Sequence, residues 1–229
     1  MREAAHRKEK KSVNRKTFKV ITVTAIILVL ASFSAYAVYH YLSPKEVAEK
    51  TGNEGAALLF ENSEVEAREI TCGEYAVTLH GIASSDEAKR IEGADVEEGR
   101  SYIVVSVARS DGAPIYSADG VPVQISPLVA GFDVWKVNLW TLEGGANGLE
   151  NDGVIYYLFS TKNISIFADH TVYIAAYEGF IPTEAIFTML SDGTIVYNES
   201  YTGFRGMFEI EFDDSEADPE AVERLLENI

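Results

Sequence analysis

Residues 20–42, VITVTAIILVLASFSAYAVYHYL, hold no Asp, Glu, Lys or Arg in 23 positions. As a helix rising 1.5 Å per residue, that run would reach roughly 34 Å, enough to cross a hydrocarbon core of about 30 Å. The 19 residues before it carry eight Lys and Arg against two Glu. The positive-inside rule keeps this basic end in the cytoplasm and sends everything after residue 42 outside the membrane. The chain therefore divides into a basic cytoplasmic tail (1–19), a transmembrane helix (20–42) and one extracytoplasmic β-rich domain (43–229).

The span has a second reading. Ala35-Tyr36-Ala37 follows 12 apolar residues (20–31) and matches a signal-peptide cleavage pattern. Against cleavage, the apolar run continues to full spanning length. Tyr36, Tyr39, His40 and Tyr41 supply an aromatic belt at its outer end. An uncleaved single-pass anchor is the expectation.

Residues 43–229 hold 11 Lys and Arg against 34 Asp and Glu, a formal charge of −23. Such a surface repels nucleic acid and anionic polymers, and chiefly serves solubility. Cys72 is the lone cysteine, so the domain has no internal disulfide and rests on its core. That profile fits the outside of a bacterial cell. The sequons at Asn163 and Asn198 then read as chance matches.

Ser43-Pro44 with Glu46 has the spacing of a capping box with Pro at the first helical position, and Asn53 caps a second short helix ending near Phe60. From residue 64 the period shifts to two. Tyr75, Val77 and Leu79 alternate with Ala76, Thr78 and His80, and residues 102–107 read as a central strand. Residues 84–100 read as a connection with at most one or two helical turns. Strands are expected at 154–159, 164–167 and 171–177. A hairpin is expected around Ser191-Asp192-Gly193, and a last strand through Phe208, Ile210 and Phe212. Asp218 and Pro219 start a closing helix with Val222, Leu225, Leu226 and Ile229 on its apolar face. The fold class is mainly β, an antiparallel β-sandwich-like domain with short flanking helices.

Catalytic patterns are missing. His80 and His170 have no metal-ligand spacing, Asp169-His170 is no dyad by adjacency alone, and no nucleophile elbow, Walker loop or dinucleotide fingerprint occurs. The acidic run 213–218 lacks calcium-loop spacing. No cofactor, metal or catalytic residue is expected, and the chain does not read as an enzyme. Cys72 reads as an inert thiol.

The candidate ligand-binding residues are Phe132, Trp135 and Trp140 in the segment GFDVWKVNLWTLEGGANG (131–148), which holds both tryptophans of the chain. Aromatics on a loop made mobile by Gly144, Gly145 and Gly148 stack on sugars or anchor protein partners. The alternative, favoured by ring size, is a plug over one end of the sandwich, each ring removing on the order of 150–250 Å² from water.

LSPKEVAEKTGNEGAALLFE, EYAVTLHGI, SYIVVSVARSDG, SPLVAGFDVWKVN, DGVIYYLFSTKNISIFADHTVYIAAYEG and FDDSEADPEAVERLL follow one another along the chain. Together with the leader and span they resemble an uncharacterised extracytoplasmic domain family of single-pass membrane proteins in clostridial and related Gram-positive bacteria. Some members are anti-sigma-factor-like. The resemblance implies no catalytic residue. One departure is the 19-residue tail, because a segment that short forms no folded sigma-binding domain. Either the start is internal to a longer gene, or this member acts only outside.

The expected function is a membrane-anchored binding or sensory domain facing an envelope protein or a wall ligand. The alternative is the outer module of an anti-sigma-like regulator with a cytoplasmic partner.

Overall fold

The central strands are buried on both faces, which one core between two sheets does not require. The computed structural model describes residues 41–61, 67–88, 96–117 and 121–227. The five-stranded sheet runs in the order β1 (Arg68–Cys72), β2 (Tyr75–Ser84), β3 (Arg100–Arg109), β6 (Val154–Lys162), β5 (Gly145–Asn151). The three-stranded sheet runs β10 (Arg205–Ile210), β7 (Val172–Glu178), β4 (Val123–Val129). Every neighbouring pair is antiparallel.

Alternation sorts the strand residues into layers. Val77, Leu79, Ile103, Val105 and Ile155 face Ile125, Val172, Ile174, Phe208 and Ile210 across a shared core. The opposite face of the larger sheet, with Tyr102, Val104, Tyr156 and Leu158, lies under α1 (Pro44–Lys50) and α2 (Glu54–Phe60). The outer face of the smaller sheet, with Leu128, Tyr173, Ala175 and Tyr177, lies under the hairpin β8 (Phe187–Met189) and β9 (Ile195–Tyr197). Helices, sheet, sheet and hairpin thus form four layers.

The helices start where the sequence places their caps. Ser43 and Glu46 form the capping box, Asn53 accepts from the Ala56 amide, and Asp218 accepts from the Ala221 amide to open α4 (Pro219–Leu226). Val222 and Leu225 of α4 are buried; Ile229 lies outside the described residues. The early helices cover a face of the larger sheet. The connection after β2 opens with one short helix, α3 (Ser85–Ala88).

The sides of the sandwich close differently. On one side β10 lies against β1. Arg68 Nη1 donates to the Glu209 carbonyl at 2.6 Å, and a Cβ at Gly206 would stand 2.8 Å from Ile70 Cγ2. On the other side the segment 131–144 inserts Val137, Leu139 and Leu142 into the shared core.

Three expectations are corrected. Residues 164–167 do not form a strand. Ser165–Phe167 is a 3₁₀ turn, because Asn163 Oδ1 accepts from the Ser165 amide and Ser101 Oγ accepts from the Ile164 amide. Gly145 and Gly148 are not loop glycines but belong to β5, where the Tyr157 ring packs so close to Gly148 that a Cβ would sit 3.0 Å from it. A strand at 123–129, absent from the sequence reading, is the edge of the smaller sheet. Pro127 sits there without disrupting a central ladder.

The expected span lies outside the described residues up to residue 40. Its last two positions, Tyr41 and Leu42, are described and are not helical. Among the described residues no helix is long and apolar enough to cross a membrane.

Candidate functional site

The segment 131–144 is shaped by one buried side chain. Asn138 Nδ2 donates to the carbonyls of Val134 at 3.1 Å and Trp135 at 2.9 Å. Its Oδ1 accepts from the amides of Trp140 at 2.9 Å and Thr141 at 3.3 Å. A buried amide with four such partners holds two consecutive turns in fixed relation. Val134, Val137, Leu139 and Leu142 then face inward and are buried, while the tryptophans between them face out.

The far end is pinned independently. Arg100 donates from Nη1 to the Glu143 carbonyl at 3.2 Å and from Nη2 to Ser160 Oγ at 2.9 Å, and Lys162 Nζ lies 2.7 Å from Glu143 Oε1. Gly144 is required, because a Cβ there would meet Leu139 Cδ1 at 2.3 Å. The segment is a fixed element of the domain wall.

The three candidate aromatics part company. Phe132 is half-buried and packs edge-on to Phe167, ring centroids 5.6 Å apart, with His170 at 5.1 Å. Trp135 is 58 % exposed and Trp140 47 %. Trp140 stacks at 4.7 Å and 32° on Phe180, whose carbonyl accepts from the indole Nε1 at 3.2 Å. Phe180 is itself 70 % exposed, beside an exposed Ile181. Of the plug expected from ring size only Phe132 takes part, packed against the core beside the buried Val137, Leu139 and Leu142, and both tryptophans stand outside.

Phe180 and Ile181 escaped the sequence reading. They lie 40 residues from Trp140, in the connection between β7 and β8, where Gly179 takes φ 135°. Two apolar residues placed between glycine and Pro182, outside any alternating run, were the available signal.

A second constellation lies under the helical layer. β2 slips register by one residue between Leu79 and Gly81, so His80 and Gly81 both meet the helix side. Pro44 and Phe60 press against Gly81, leaving 3.2 and 3.3 Å for any Cβ. His80 Nε2 lies 2.7 Å from Ser106 Oγ, and its ring stacks with Tyr41 at 5.2 Å and Tyr156 at 5.9 Å. Burial drives its imidazole down from the usual value to about 4, so it is neutral near pH 7. Burial likewise pushes the Tyr156 phenol up. The arrangement straps Tyr41 and Leu42 onto the sheet.

A third polar cluster surrounds Asn163. Its Oδ1 accepts from Ser101 Oγ at 3.0 Å and from the Ser165 amide at 3.1 Å, and its Nδ2 donates to Asp86 at 2.8 Å. Every contact is internal, and the buried amide of this sequon is unavailable to a glycan.

The other groups weighed in the sequence have local partners. His170 Nε2 is 3.7 Å from Asp169 Oδ1, and both side chains are partly exposed. Asp213 caps the Ser215 amide. Cys72 is half-buried at the end of β1. Among the described residues no group of three or more His, Cys, Asp or Glu is arranged to hold a metal ion.

The site is therefore an outward-facing aromatic rim in which Trp140 stacks on Phe180, with exposed Ile181 next in the chain and exposed Trp135 elsewhere on the same segment as Trp140. Comparison with known proteins finds no matching family model, no matching curated protein and no matching solved structure.

Proposed function

We propose that this chain is a membrane-anchored extracytoplasmic domain that binds a protein partner in the cell envelope and catalyses no reaction. The observation that carries the reading is the exposed Trp140–Phe180 stack, presented by a segment whose backbone Asn138 and Arg100 hold in place. Rigid aromatic anchors lose little conformational entropy on binding and dominate the energetics of many interfaces. The charge of −23 on residues 43–229 argues against anionic wall polymers and for a protein with an apolar or basic face. The apolar run 20–42 behind its basic leader supports the anchor.

The alternative is the outer module of an anti-sigma-factor-like transmembrane regulator with a cytoplasmic partner. It is favoured by the docking of Tyr41 and Leu42 on the sheet, since a rearrangement of that face would act directly on the segment leading back to the expected span.

Crosslinking of the full chain in intact cells, with captured partners identified by mass spectrometry, tests both. The binding reading expects an external protein that is lost in Trp140→Ala and Phe180→Ala. Recovery of a sigma factor or another cytoplasmic regulator, insensitive to those substitutions, favours the second. The same external partners captured by wild type and by both variants would rule out the aromatic rim.

A further inference from the structure

Trp140 and Phe180 meet with their ring planes 32° apart, and each keeps a large exposed area. The indole Nε1, the single polar atom in the two side chains, is already committed to the Phe180 carbonyl. What the stack offers a partner is therefore ring surface, whose faces carry the negative part of the aromatic quadrupole. The same domain sets cations on rings elsewhere. The Arg205 guanidinium carbon lies 5.8 Å from the Tyr197 centroid and 5.9 Å from that of Tyr201, and the Arg68 carbon lies 5.8 Å from that of Phe208.

Carboxylates border the stack. Glu178 precedes Phe180 by two residues and Glu184 follows it by four, and both are exposed. Two bonds tie the segment 198–201 to theirs: Tyr201 Oη donates to the Glu178 carbonyl at 2.7 Å, and Asn198 Nδ2 donates to the Glu184 carbonyl at 3.3 Å. Exposed Glu199 follows Asn198 and adds a third acid. The nearby cations are engaged within the domain. Arg205 donates to the Tyr201 carbonyl, Lys162 pairs with Glu143 at 2.7 Å, and Arg100 donates to the Glu143 carbonyl. Lys136 is half-buried and follows Trp135 in the chain, with Asp133 three residues before it.

We propose that the Trp140–Phe180 stack receives an arginine or lysine side chain from a basic segment of an external protein, with Glu178 and Glu184 pairing to the same segment. This partner chemistry rests on the binding function proposed above. A wholly apolar surface laid over the rings would strip water from the bordering carboxylates and return no charge to them. A cation over the rings meets both the quadrupole and the carboxylates, and its aliphatic stem covers apolar surface such as Ile181. Residues 43–229 carry 11 Lys and Arg against 34 Asp and Glu, a field that speeds encounter with a basic protein and turns acidic ones away.

The test keeps the full chain in native membranes and places a photo-crosslinking phenylalanine analogue at Ile181, leaving both rings of the stack intact. The crosslinked peptide of the captured protein is then sequenced by mass spectrometry. A positively charged segment is expected, with Arg or Lys adjoining the crosslinked residue. Capture should fall severalfold between about 0.1 M and about 1 M salt, as the Debye length shrinks from about 10 Å to about 3 Å. Glu178→Gln with Glu184→Gln should weaken it about threefold to tenfold. Gln keeps the acceptor that Glu178 Oε2 offers the Phe204 amide. Phe180→Leu keeps apolar bulk without a ring face and should weaken capture about fivefold.

A neutral or acidic segment at the crosslink overturns the cationic partner and leaves the binding function standing. Capture that neither salt nor the Gln variants weaken does the same. Equal capture by Phe180→Leu and wild type overturns the placement of the cation on the rings. Lipid at the crosslink, or no external protein, overturns the cationic partner and the binding function together.

Discussion

The backbone amide of Leu42 donates to the phenolic oxygen of Tyr156 at 3.1 Å, across 114 residues of sequence. With the Tyr41 ring against His80, this bond holds the first described residues to the outer face of the five-stranded sheet.

Tyr156→Phe keeps the ring and removes the acceptor. It should cost about 1 kcal/mol, typical of one hydrogen bond lost from a part-buried donor. Amide exchange should accelerate at Leu42 while β3 and β6 stay protected. Unchanged exchange at Leu42 would show that the rings alone hold the strap.

His80 makes stability depend on pH. In the folded state its imidazole titrates near 4, against about 6.5 when unfolded. The unfolded chain therefore binds the proton first on acidification. This contribution is fully present above about pH 6.5 and is lost as pH falls toward 4, on the order of 2–3 kcal/mol in all. Denaturant unfolding across that range should show the loss in wild type relative to His80→Gln. A difference between the two proteins that stays constant with pH would disprove the assignment.

Leu142 and Trp140 lie two residues apart and should respond to very different degrees. Leu142 is fully buried in the shared core, so Leu142→Ala should cost about 2–5 kcal/mol. Trp140→Ala removes a half-exposed ring and one hydrogen bond, and should cost about 1 kcal/mol. Denaturant midpoints give both numbers, and similar losses would mean that Trp140 belongs to the wall and not to its surface.

Asn163→Ala removes the partner of Ser101 Oγ, the Ser165 amide and Asp86 together. Unsatisfied buried groups cost about 1–3 kcal/mol each before relaxation, so a loss of at least about 2 kcal/mol is expected in thermal or chemical unfolding. A loss below about 1 kcal/mol would mean that water replaces the amide.

What could be read in the sequence was whatever depends on local chemistry. The Ser43, Asn53 and Asp218 caps, the Ser191-Asp192-Gly193 hairpin and the alternation of Phe208 with Glu209 all appear in the structure. β4 escaped because Pro127 argues against a strand, and only its edge position removes the conflict. β5 escaped because its two glycines look like loop residues until Tyr157 is seen packed across Gly148. In the candidate site, both tryptophans were found but their direction was not. That direction depends on Asn138, a polar residue whose four bonds exist only once the segment is folded. Phe180 joins them through a contact 40 residues away in sequence, which no local pattern encodes.

The seam between β1 and β10 bears on the order in which the domain is completed. Arg68 and Glu209 meet across 141 residues, so the two sheets join on that side only after nearly all of the intervening chain is available. Contacts of such long range slow folding, because loop closure precedes any gain from packing. A chain halted before residue 205 leaves the free edges of β1 and β7 both open to other strands. In a chain synthesised from its N-terminus β10 arrives late, and the interval before it arrives is when the growing chain is most exposed to mispairing.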